Sequence, residues 1–118
     1  MADNELLELA AKAAEIKLEF RRLLWTEGTD YPCYEDTESV CEAPRYIPVV
    51  RWNPLTDDGD ALRLAVKLQL LVNTDATESQ ATDGKKADEC ELHQGSNAYA
   101  ATRRAIVRAA AEIGKGMK

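Results

Sequence analysis

Residues 52–71, WNPLTDDGDALRLAVKLQLL, restrict the fold more than any other stretch of the chain. Pro54 fixes the backbone just ahead of a helix start. Asp57 has the side chain of an N-cap, and Asp60, three residues on, holds the capping-box position. A helix over residues 58–68 puts Asp60, Arg63 and Lys67 on one narrow side. Ala61, Leu62, Leu64, Ala65, Val66 and Leu68 cover nearly all the rest, so this helix is expected to be contacted on more than one side. No glycine follows it. The apolar period nevertheless changes from about 3.6 to 2 after Leu68, which predicts a strand over residues 69–74.

The flanking sequence supplies partners for such a helix. Asn4 can cap an N-terminal helix carrying Leu6, Leu7, Leu9, Ala10, Ala13 and Ala14 at helical spacing. From Ile16 the helical count still works, but Ile16, Leu18 and Phe20 also alternate with Lys17 and Glu19. The reading preferred here is a helix ending near Glu15 and a strand over residues 16–25, with continued helix as the alternative. Residues 26–44, with Gly28, Pro32, Pro44 and several acids, read as a surface loop. Residues 46–52 suit an edge strand, because Pro48 cannot donate to a ladder. Residues 75–87, with Asp83-Gly84 inside, read as a wide hairpin loop. Glu89, Glu91 and His93 then alternate with Cys90 and Leu92, a return strand with its acids wet and Cys90 in the core. Ser96 or Asn97 caps a last helix whose buried face is Tyr99, Thr102, Ile106, Ala109, Ala110 and Ile113, with Gly114 as its stop. The expected product is a single α+β domain over residues 1–118: three helices packed on a small, mainly antiparallel sheet.

Composition excludes several function classes. A chain of 118 residues, 45% hydrophobic and 31% charged, has the material for one real core without disulfides or metal. A net charge of -6 disfavours direct nucleic-acid binding, which depends on cations neutralising phosphates. There is no apolar run of bilayer length and no signal-like start, so the expectation is a cytoplasmic protein without a membrane partner. Cys33, Cys41 and Cys90 are odd in number and widely spaced, unlike a secreted disulfide framework.

The chemistry-bearing groups are few. Asp57, Asp58 and Asp60 offer oxygen ligands to a hard cation, although capping and dipole complementarity explain the same residues and no EF-hand spacing is present. Cys33, Cys41, Cys90 and His93 add up to a Cys₃His set with one close pair, Cys90 and His93, but Cys33 and Cys41 are too widely spaced in a loop, and in a strand Cys90 and His93 would point to opposite faces. No metal and no cofactor are therefore assigned. With one histidine and no nucleophile elbow, Ser/His or Cys/His catalysis has little to stand on. Arg103, Arg104 and Arg108 can grip a phosphorylated ligand or an acidic partner, or form a solvated helix face. Trp52 and Tyr46 beside Arg45 and Arg51 can stack a base or pack. The candidate binding residues are Trp52, Asn53, Asp57, Asp58, Asp60, Arg103, Arg104 and Arg108.

Residues 52–68, WNPLTDDGDALRLAVKL, resemble a recurring signature of small tailed-phage and prophage proteins. The opening ELLELAAKAA at residues 5–14 and the closing YAATRRAIVRAAAEIG at residues 99–114 resemble the start and end of the same proteins. The layout is similar to that of the phage α-β-α sandwich domain group. That resemblance implies helices around a sheet and a phage context, and brings no assigned reaction or catalytic residue. It also marks a departure, since a glycine is common where Glu15 stands. Taken together, the expectation is a non-enzymatic phage accessory protein that binds a host or phage protein. The alternatives are a binder of a small nucleotide signal, and a metal-dependent hydrolase using residues 57–60. Homodimerisation through the Ala-rich last helix is compatible with each.

Overall fold

A computed structural model describes residues 2–21, 31–36, 41–42, 45–46, 48–93 and 97–117, and the side chains of all of these but 41–42 and 45–46. The chain is α+β. Its elements in order are α1 (Asp3–Ala13), β1 (Glu19–Arg21), β2 (Tyr31–Glu35), β3 (Cys41–Glu42), β4 (Arg45–Tyr46), β5 (Val49–Arg51), α2 (Asp58–Lys67), β6 (Leu71–Thr74), β7 (Glu78–Thr82), β8 (Asp88–Leu92) and α3 (Ala98–Lys115). Two compact units result, one made of Met1–Ile16 with Asn53–Lys118 and the other of Lys17–Trp52. The strands are accordingly divided between two three-stranded antiparallel sheets, with β3 and β4 as a separate ribbon.

In the first unit α3 is the hub. It packs on α1, on α2 and on the β6–β7–β8 meander. Helices α1 and α3 run the same way: Asp3 meets Arg104 and the Lys12 ammonium meets the Met117 carbonyl. The contact is made by small residues. Ala10, Ala11, Ala105, Ala109, Ala110 and Ala111 are all buried. Gly114 lies inside α3 and is not its stop, which falls at Gly116. A Cβ on Gly114 would collide with the Leu9 carbonyl, 2.9 Å from its carbon. Here glycine is required by close approach of two backbones, a demand that a reading of α3 alone does not reveal.

Both shorter helices end in Schellman motifs without glycine. After α1 the Ile16 N–H donates to the Ala11 carbonyl and the Glu15 N–H to Lys12. After α2 the Leu70 N–H donates to Ala65 and the Gln69 N–H to Val66. The residue at the reversal is left-handed in each case, Glu15 at φ 59° and Gln69 at φ 56°. That is how α2 feeds β6 with no breaker in the sequence.

Several expectations change. Asn4 does not cap α1; the N-cap is Ala2, with no side-chain bond. Ser96 lies outside the described residues, and Asn97 caps α3 by accepting from the Ala100 N–H. Tyr99 is exposed instead of packed. On α2, Ala61, Leu64 and Ala65 are buried, but Leu62 and Val66 stand open to solvent. The helix is therefore contacted on one side only, with its apolar surplus left outside. The loop reading of residues 75–87 is replaced by β7, whose Ser79 and Ala81 face inward. Its turn signals are real but lie at the strand's ends, where Asp75 accepts from the Thr77 and Glu78 N–H groups and Asp83 from those of Lys85 and Ala87. These bonds favour ionised carboxylates, with the backbone N–H groups holding both acids below the ordinary carboxylate range.

In the second unit the sheet order is β1-β2-β5. β2 falls where a loop was expected, partly because Pro32 argues against a strand interior. In an antiparallel strand the N–H and C=O of one residue point to the same neighbour. Pro32 faces the end of β5, where its carbonyl accepts the Trp52 N–H. Pro48 does the same at the other end, accepting from Asp36. Each proline terminates the β2–β5 ladder, and neither is needed as a donor to β1. Among the described residues β5 is an edge strand, but it covers only residues 49–51 of the predicted 46–52, and Tyr46 ends β4. The predicted strand over residues 16–25 shrinks to β1, with residues 22–25 outside the described set.

Four substitutions check this account. Glu15→Gly and Gln69→Gly should each raise stability, by about 1 kcal/mol at most, because L-residues resist the left-handed region. Gly114→Ala should lower it by about 1–3 kcal/mol or more through overpacking. Gly116→Ala should be near neutral, since a Cβ there meets only the Ile113 carbonyl at 3.6 Å. Urea midpoints read all four.

Candidate functional site

The turn that starts α2 is built from its own polar groups. The Asn53 side-chain oxygen accepts from the Leu55 N–H, and its carbonyl accepts from the N–H groups of Thr56 and Asp57. Asp57 caps the helix by accepting from the Asp60 N–H at 2.9 Å, as the sequence predicts. Asp60 does not return the bond to Asp57 as a capping box would. It is buried, and takes the Asn53 N–H at 2.9 Å with one oxygen and Arg63 at 2.6 Å with the other. Asp58 pairs with Arg103 at 2.6 Å, and Arg103 also donates to the Leu55 carbonyl. The three aspartates thus point to three different partners. Among the described residues no group of three or more His, Cys, Asp or Glu is arranged to hold a metal ion.

Trp52 belongs to the other unit. It is buried, and its N–H closes the β2–β5 ladder.

Arg103 parts from the other two arginines, which share Glu91. Arg103 braces the start of α2. Arg104 reaches Asp3 at 3.3 Å and Glu91 at 3.8 Å. Arg108 bridges Glu89, at 2.9 Å, and Glu91. Hydrogen bonding to Glu91, with Glu89 adding its charge, raises the Arg108 guanidinium above its ordinary value. Arg104 and Arg108 line a cleft of about 340 Å³ with Glu89, Glu91, Leu6 and Lys115. The alternation expected for β8 is present, but its phase is reversed. Glu89 and Glu91 turn toward α3, while Cys90 and Leu92 face solvent. The arginines one helical turn apart on α3 make the acid-inward phase the favourable one.

Sequence reasoning missed Ser79, because β7 was taken as loop. Ser79 is fully buried, with its Oγ 2.7 Å from His93 Nε2 and 2.7 Å from Thr102 Oγ1. Thr102 Oγ1 in turn donates to the Ala98 carbonyl at 2.8 Å. The cluster ties β7, the end of β8 and α3 together.

In the second unit Cys33 is a strand residue, not a loop residue, and is fully buried. Arg21, bonded to both Glu19 and Glu35, lies on the same sheet face. Burial pushes the Cys33 thiol up, away from the reactive thiolate. Arg51 sits 4.8 Å from the centre of the Tyr31 ring. The predicted aromatic-basic stretch otherwise falls on Arg45 and Tyr46, whose side chains lie outside the described residues, as does that of Cys41. Cys90 and His93 point to opposite faces of the β8 line, as expected from strand geometry.

Comparison with protein-family models, curated proteins and solved structures gave no match. Among the described residues no helix is long and apolar enough to cross a membrane.

Ser79→Ala should cost about 1–2 kcal/mol, the usual penalty for leaving buried polar partners unpaired. Equilibrium urea unfolding measures it. A change below a few tenths would mean that the Ser79–His93–Thr102 cluster is not holding the three elements together.

Proposed function

We propose that this chain is a non-enzymatic protein-binding module, a phage accessory protein acting on a host or phage protein in the host cytoplasm. One observation carries the binding part. Leu62 and Val66, one turn apart on α2, are 64% and 68% exposed, although the opposite side of the same helix is buried. Two open apolar side chains at i and i+4 form a ridge of the kind that packs against an apolar ridge or groove on a partner. The phage context rests on the resemblance of residues 52–68 and of the two terminal blocks.

The arrangement of charge favours this reading over its rivals. A ligand-gripping site needs cations available to the ligand; here Asp58 engages Arg103, and Asp3, Glu89 and Glu91 engage Arg104 and Arg108. A metal-dependent hydrolase needs carboxylates facing one point, and Asp57, Asp58 and Asp60 are turned to the Asp60 N–H, Arg103, and Asn53 with Arg63.

Affinity capture from host lysate, run side by side with the wild-type chain and a Leu62→Asp/Val66→Asp variant, tests the proposal. The expected outcome is a partner retained by the wild type at several salt concentrations and lost with the variant. Both changes are at exposed positions, so far-UV circular dichroism should be unaltered. An identical set of captured proteins with both chains, or none with either, would remove the α2 ridge as the binding surface.

A further inference from the structure

A homodimer with a two-fold axis through a strand sets the same residue of each copy face to face. In a chain of net charge -6, that is cheapest where the paired residues are uncharged. The β6–β7–β8 sheet has two edges. Sheet edges are commonly guarded by charge, proline or a bulge. The β8 edge carries Asp88, Glu89 and Glu91, and pairing it with itself about Cys90 would place Glu89 opposite Glu91 of the second copy. The β6 edge reads Leu71-Val72-Asn73-Thr74, with no charge and no proline, and its regular register against β7 leaves no bulge.

The ladder phase shows which backbone groups that edge offers. The Asp75 N–H donates to the Glu78 carbonyl. Bonded pairs alternate from there, so Asn73 and Leu71 point their backbone groups at β7. Val72 and Thr74 point theirs outward. Among the described residues no strand pairs with them.

We propose that the β6 edge is an interface for a second copy of this chain, the two strands pairing antiparallel about an axis through Asn73. In that register Val72 lies opposite Thr74 of the second copy. Each of the two such pairs exchanges both N–H···O=C bonds, so the outward groups of Val72 and Thr74 satisfy one another. Asn73 meets its own counterpart at a non-hydrogen-bonded position, where Cα atoms lie about 4.5 Å apart. A carboxamide both donates and accepts, so the Asn73 pair is self-complementary. Leu71, 59% exposed on the same face as Asn73, falls opposite Asp75 of the second copy, whose carboxylate is already turned to the Thr77 and Glu78 N–H groups. Two short strands make a small interface, so the dimer is weak and concentration-dependent. This surface is independent of the α2 ridge.

Sedimentation equilibrium of the full chain from about 10 μM to about 1 mM, the range of weak association, should show mass climbing from one chain toward two. Thr74→Pro removes an outward N–H from each copy while sparing the β6–β7 ladder, and should weaken association roughly tenfold or more. In a Cys41→Ser/Cys90→Ser background, Asn73→Cys should form a disulfide dimer under mild oxidation, because opposed residues meet disulfide geometry. Gln80→Cys, one strand inward on the same face, should not. Circular dichroism checks that each variant is folded. A single-chain mass throughout the range overturns the proposal. So does a dimer that Asn73→Cys fails to cross-link, since it would use another surface or register.

Discussion

The close approach of α1 and α3 is the contact on which the first unit depends. At Gly114 the two helices are so near that the Leu9 carbonyl occupies the place of a side chain. Small residues make this possible: Ala10 and Ala11 on one helix and Ala105, Ala109, Ala110 and Ala111 on the other are buried. Alanine loses almost no side-chain freedom on burial, so a helix pair of this kind is cheap to order. Its gain is close packing over a long line of contact, to which each methyl contributes little alone. Because α3 also carries the β6–β7–β8 sheet and receives α2, a shift at Gly114 would be felt by every element of that unit.

Charge in this unit acts mainly as internal bracing. Arg103 fastens the start of α2, while Arg104 and Arg108 share Glu91 of β8 and Arg104 also reaches the start of α1. Exposed pairs of this type add little each. Those of Arg108 are half-buried and shared between Glu89 and Glu91, which fixes the phase of β8. Ser79, His93 and Thr102 perform a similar task through hydrogen bonds. Arg103, Arg104 and Arg108, read in the sequence as candidate binding residues, are all engaged by carboxylates of the same unit.

Some of the turns were legible from the sequence, and the elements between them only in part. Asp57 as a cap, α2, β6, the edge character of β5 and the capped last helix follow from local chemistry and period. β7 and β2 did not, because their sequences are rich in residues that also make turns. Ser79-Gln80-Ala81-Thr82 has no apolar alternation to announce a strand; it becomes one by pairing on both sides. Pro32 argues against a strand until the ladder is seen to end there. Of the candidate site residues, Asn53, Asp57 and Asp60 are hydrogen-bonded within the α2 turn, Arg103 joins the turn through Asp58 and Leu55, and Arg104 and Arg108 go elsewhere.

By itself the sequence determined the α+β class, the capped start of α2, and the period of each strand it could recognise. These depend on groups a few residues apart, whose geometry the backbone fixes. The tertiary structure alone decided which face of β8 turns inward, which apolar side chains of α2 stay outside, and why Gly114 is glycine. Each of those outcomes is set by what lies across a contact. Period shows that a strand has two faces but not which one meets a helix, and here the choice was made by Arg104 and Arg108, more than a dozen residues away along the chain.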